Sequence, residues 1–161
     1  MRKIIVIVFF VFIFFFIEFL IFNVCGPNFV PNLLLLLVIF FNLYLGIRYS
    51  LLAAIFAGIL KDSFSTNMFG IHLVTFIACA YMTTFFKKYI YHMGSTAPRV
   101  ILIFLVVVLN IMMNYLLRLV FISMDATEVL RYILLPELLM TLLVATFTFN
   151  QLKKCVSKLF A

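Results

Sequence analysis

Apolar residues run along this chain in long, nearly unbroken blocks, and polar residues are confined to short gaps between them. Six blocks, at 4–23, 33–47, 51–64, 71–86, 100–117 and 132–152, predict six helices. Blocks of this kind suit the hydrocarbon core of a bilayer, which about 20 apolar helical residues cross, better than one face of a soluble helix. The gaps carry turn chemistry. Gly26-Pro27-Asn28-Phe29-Val30-Pro31-Asn32 holds two prolines that a continuous helix does not accommodate, and Gly46-Ile47-Arg48-Tyr49-Ser50 reads as a tight hairpin between antiparallel neighbours. The expected fold is all-α: an integral membrane bundle of about six transmembrane helices, a single transmembrane domain over residues 1–161.

Details within the blocks sharpen this outline. The third is short for a crossing, about 21 Å at 1.5 Å per residue, so either the membrane thins there or the helix continues past Ser65. It carries Ala53, Ala54, Ala57 and Gly58, small residues at i and i+4 twice over. That spacing lets another helix backbone come close and predicts a central place in the bundle. Ser65-Thr66-Asn67-Met68-Phe69-Gly70 reads as a turn. Residues 87–98 read as a short interfacial segment closed by Gly94-Ser95-Thr96-Ala97-Pro98. In the gap at 123–131, Asp125 or Thr127 is positioned to cap a short helix leading into the last block, and Pro136 marks a helix start or kink.

Composition excludes the main alternative class. At 68% hydrophobic and 11% charged residues, the chain lies far from the near-quarter charged share of soluble domains, and no room remains for a separate catalytic domain. The net charge of +7 does not point to nucleic acid, because the cations sit between apolar runs and form no patch. With a cytoplasmic N-terminus, the inside segments hold Arg2, Lys3, Arg48, Lys87, Lys88, Arg99, Lys153, Lys154 and Lys158, which is nine of the twelve basic residues. The positive-inside rule then puts both termini in the cytoplasm and the multi-pass chain in a bacterial inner membrane. Tryptophan is absent, so Tyr49, Tyr89, Tyr91, Tyr115 and Tyr132 near block ends would form the interfacial belt. Residues 1–22 read as a first span and not as a cleaved signal, since the apolar run is too long and no small-x-small site follows. Cys25, Cys79 and Cys155 fall in three different compartments, with no disulfide pairing or metal spacing among them.

Ionisable and amide groups at membrane depth need partners, a wet cavity or a place near the surface. Asn110, Asn114 and Arg118 recur at i, i+4 and i+8, along one helical face. The topology brings Glu18, Lys61, Asp62, His72 and Glu137 to the same outer level. The expectation is a polar cluster with Arg118 pairing with Glu18 or Glu137 and the asparagines bonding across helices, while the long stem of Lys61 reaches headgroups unaided. No cofactor or metal is called for. His72 and His92 fall on opposite sides of the membrane, and Ser63 and Ser65 flank Asp62 without a nucleophile motif, so an enzyme is not expected.

From 31 to about 81 the order of features resembles the rod shape-determining protein MreD family. The carrying residues are Pro31-Asn32 followed by five leucines, Gly46-Ile47-Arg48, Ala57-Gly58-Ile59-Leu60-Lys61-Asp62, and Met68-Phe69-Gly70-Ile71-His72. Asn32 stands where that family usually has aspartate, and Met68-Phe69 where Pro-Leu is typical. The resemblance points to Asp62, Gly70 and His72, Gly70 for a turn needing positive φ or close backbone approach. It implies a non-catalytic part of the cell-elongation machinery that partners the single-span protein MreC beside MreB, RodA and a penicillin-binding transpeptidase. A rival reading is the membrane substrate-binding subunit of an energy-coupling-factor vitamin transporter, which would need an outward cavity of convergent polar groups.

Overall fold

The computed structural model describes residues 2–26, 30–64, 69–90, 96–122 and 135–160. These form six helices and, among the described residues, no strand: α1 (Arg2–Cys25), α2 (Leu33–Leu45), α3 (Ile47–Phe64), α4 (Ile71–Ile90), α5 (Thr96–Ile122) and α6 (Leu135–Phe160). The expected interfacial segment around Tyr91 and His92, the Ser65 turn, the Asp125 or Thr127 cap and Tyr132 lie outside the described residues. So do the side chains of Cys25 and Cys155, whereas Cys79 is a buried free thiol.

Each helix begins where the sequence permits. Pro98 and Pro136 fall in the first turns of α5 and α6, where the missing N–H has no intrahelical partner to lose. Between α2 and α3 the expected five-residue hairpin contracts to Gly46 alone, at φ 96°. Its N–H donates to the Phe41 carbonyl at 3.0 Å and its carbonyl accepts from Ser50 N–H at 3.2 Å. Residues 47–50 thereby join α3, so the short third block gains its missing length at the front. The helix is 18 residues long, about 27 Å at the standard rise.

The centre of the bundle is α2, where the small-residue pattern had pointed to α3. Every residue from Leu33 to Leu43 is buried, and the helix packs against all five others. By contrast α3 buries only the face carrying Ala53, Ala54, Ala57, Gly58 and Asp62, while Ile55, Phe56 and Ile59 point outward. Small residues mark one close-packed face and do not single out the central helix.

Polarity is arranged inside out. Phe9, Phe12, Phe16 and Leu20 form an outward stripe on α1, with Phe16 61% exposed, and Leu139, Leu143 and Phe147 form another on α6. Asn32, Asn42, Ser50, Asp62, Asn110, Asn114 and Thr141 are buried. Apolar surface on this scale is stable against lipid and aggregates in water. Two helices, over 3–24 and 97–120, are long and apolar enough to cross a membrane unaided.

Candidate functional site

Helices α2 and α4 begin at the same end of the bundle, and both starts are buried by neighbours. A helix start leaves N–H groups without intrahelical acceptors, and inside a membrane no water can supply them. Both starts are met by a carboxylate from a preceding helix. Asp62, 2% exposed at the end of α3, accepts from His72 N–H through Oδ1 and from Leu73 N–H through Oδ2, both at 3.0 Å. One turn earlier on the same face lies Gly58, where an added Cβ would meet the Leu73 Cα at 2.5 Å. Gly58 thus admits the α4 backbone and Asp62 binds it. Gly70, at φ 105°, turns the chain into α4 and gives its carbonyl to Val74 N–H at 3.0 Å.

At the start of α2, Asn32 caps its own helix, accepting from Leu35 N–H at 3.2 Å. Its Nδ2 donates to Glu137 Oε1 at 2.9 Å and its N–H to Thr141 Oγ1 at 3.0 Å, which ties α2 to α6. Glu18 of α1 accepts from Leu34 N–H at 3.2 Å through Oε2 and pairs with Lys61 Nζ at 2.7 Å through Oε1. The other end of α2 is closed by a cation. Lys87 Nζ donates to the carbonyls of Leu43 at 2.8 Å and Asn42 at 3.3 Å, while Asn42 Nδ2 donates to the Ala80 carbonyl and exchanges hydrogen bonds with Thr84. Negative charge at the start of α2 and positive charge at its end both complement the helix dipole.

Glu18, His72, Asn110, Asn114, Arg118 and Glu137 share one cavity of about 230 Å³, with Lys61 also on its wall. Asp62 is not on that wall; it sits behind it, bound to α4. The pairing differs from expectation. Lys61 does not run to the surface but holds Glu18, and Glu137 is taken by Asn32, so among the described residues no carboxylate pairs with Arg118. Nor do the asparagines bridge helices through their amides. Asn114 Nδ2 donates to the Asn110 carbonyl and Oδ1, within α5, and only the Cys79 thiol, 3.9 Å from Asn110 Oδ1, reaches across. Asn114 Oδ1 and His72 Nδ1 are buried without a hydrogen-bond partner among the described residues.

Three participants escaped the sequence reading. In the sequence Asn32 stands out only as a departure from aspartate, although an asparagine directly before an apolar helix is a standard N-cap signal. Asn42 carried the signal of an amide in mid-block. Thr141 had none, since threonine is common in membrane helices and its role depends on α6 lying beside Asn32.

These observations define a class: a membrane protein, helical throughout its described elements, in which buried Glu18, Asn32 and Asp62 serve its own helix starts. The family model of rod shape-determining protein MreD matches residues 1–155, and the chain belongs to the MreD family. The likeness read over 31–81 therefore extends through nearly all of it. No match emerged among curated proteins or among solved structures. MreD is a membrane family of non-catalytic shape-determining proteins, so this chain is a rod shape-determining membrane protein. The vitamin-transporter reading has no support in the comparisons.

Proposed function

We propose that the chain is a multi-pass, non-catalytic component of the bacterial inner membrane that binds an MreC-like single-span protein. Within the cell-elongation complex it works beside MreB, RodA and a penicillin-binding transpeptidase, helping to organise peptidoglycan synthesis and cell shape. In this reading all six helices cross the bilayer as one transmembrane domain. Both termini are cytoplasmic, so the starts of α2 and α4 face the outer leaflet. The distribution of basic residues supports that orientation.

The observation that carries the scaffold reading is the occupation of the buried carboxylates. Glu18 and Asp62 are engaged with backbone N–H groups of α2 and α4, where they fix helix positions and are not free for acid–base work. Small-residue and polar faces held this firmly suit recognition of a partner's membrane helix.

Co-purification with the MreC-like protein tests the proposal. Arg118→Ala and Asp62→Leu are expected to insert normally yet recover several-fold less partner and fail to restore rod shape in cells lacking the parent chain. Full recovery and full shape rescue by both variants would remove this cluster from the function. Cysteines substituted for Lys87 and Lys153 should label from the same side of the membrane; labelling from opposite sides would overturn the topology.

A further inference from the structure

The cavity at the starts of α2 and α4 continues into a second of about 240 Å³, and Glu18, Lys61 and His72 line both. The two halves differ in chemistry. The second is walled by Phe15, Phe19 and Phe22, which follow one face of α1 at i, i+4 and i+7, and by Phe64 at the end of α3. The ring centroids of Phe15 and Phe19 lie 5.0 and 6.0 Å from that of Phe64. Phe64 is 63% exposed and Phe22 48%, so this half opens between α1 and α3 onto the surface that faces lipid.

The first half is the more polar and is balanced in formal charge, with Lys61 and Arg118 set against Glu18 and Glu137. Its groups are unequally engaged. Lys61 and Glu18 hold each other, whereas Arg118 has no carboxylate among the described residues. Asn114, 6% exposed, lines this half, and its Oδ1 is buried with no hydrogen-bond partner among the described residues. A guanidinium without a carboxylate among the described residues suits a phosphate, to which it can donate two parallel hydrogen bonds. Asn114 Oδ1 calls for a donor, and the zero net charge favours an occupant carrying its own donor over a bare anion.

We propose that this paired cavity binds a phospholipid whose headgroup carries both a phosphate and a hydrogen-bond donor. The phosphate lies toward Arg118, the ammonium or hydroxyl toward Asn114 and Glu137, and an acyl chain passes out along the phenylalanines between α1 and α3. The inference rests on the membrane-embedded bundle proposed above but not on any protein partner. Polar pockets between membrane helices, containing basic residues, are common lipid headgroup sites.

Native mass spectrometry of the purified chain, released from micelles doped with one lipid at a time, tests it. Phosphatidylethanolamine and phosphatidylglycerol carry headgroup donors; phosphatidylcholine and diacylglycerol lack the donor or the phosphate, and glycerophosphoethanolamine lacks the chains. The first two should be retained at least about tenfold more than the other three, the order expected for one charge-assisted contact. Arg118→Gln should abolish that preference. Phe64→Ala, at an exposed position, should weaken retention of both favoured lipids without altering the preference for them over phosphatidylcholine. Equal retention of all diacyl lipids, retention of glycerophosphoethanolamine as strong as that of its lipid, or an unchanged preference in Arg118→Gln would each overturn the proposal. So would displacement of the donor-bearing lipids by a partner's membrane helix with no lipid selectivity in the chain alone. Absence of lipid selectivity in the unaltered chain, with normal partner recovery, would sink this inference and leave the scaffold reading intact.

Discussion

The starts of α2 and α4 meet the same difficulty with the same device, yet they end in opposite states. Both carry helix-start N–H groups enclosed by neighbouring helices, and both receive a carboxylate from another helix. At α4 both oxygens of Asp62 are bound to backbone, and Gly58 brings α3 so close that nothing can enter. At α2 only one oxygen of Glu18 reaches backbone; the other holds Lys61, and the pair borders an open cavity. A sealed cap fixes a structure. A cap with one side turned to a cavity leaves polar groups bordering open space.

Breaking the sealed start should have the largest effect. Asp62→Leu strands two buried donors, and at about 1–3 kcal/mol for each unsatisfied group it should lower stability by ~4 kcal/mol, seen as a large fall in thermal unfolding midpoint in detergent. Asp62→Asn keeps one good acceptor and should lose about half as much. Gly58→Ala comes next, because its new methyl meets backbone and not a flexible side-chain end; overpacking of this kind costs about 2 kcal/mol, read in the same assay. Glu18→Gln sharpens the contrast, since it keeps an acceptor for Leu34 N–H while removing the ion pair. A loss of only ~1 kcal/mol is expected for that partly exposed pair. Lys87→Met, which opens the last carbonyls of α2, should cost a similar or smaller amount, within the range of charge–dipole effects at helix ends. Should Glu18→Gln destabilise more than Asp62→Leu, the distinction between the two starts fails.

The six helices were legible because long apolar blocks separated by turn residues mark helices without any tertiary knowledge. The common level of Glu18, His72, Arg118 and Glu137 was also legible, since antiparallel crossings alternate polarity and bring late odd helices beside early even ones. Pairing was not. Whether Glu18 meets Lys61 or Arg118 depends on which helices are neighbours, and α1 packs on α2 and α3, which delivers Lys61. The centrality of α2 was hidden for a related reason: a helix of leucine and phenylalanine looks the same in the core and in lipid. Asp62 stood out as an acid late in a membrane block, but its role as cap to another helix required the close approach that Gly58 permits.

Helix α2 is 13 residues long, about 20 Å, well short of the roughly 30 Å hydrocarbon core. Its far end is closed by Lys87, 44 and 45 residues downstream of the carbonyls it binds, and Asn32 is joined to Glu137 and Thr141, 105 and 109 residues away. A ribosome therefore delivers the most apolar helix well before the groups that complete it. Both ends of α2 are thus completed by side chains of helices synthesised after it, α4 at one end and α6 at the other.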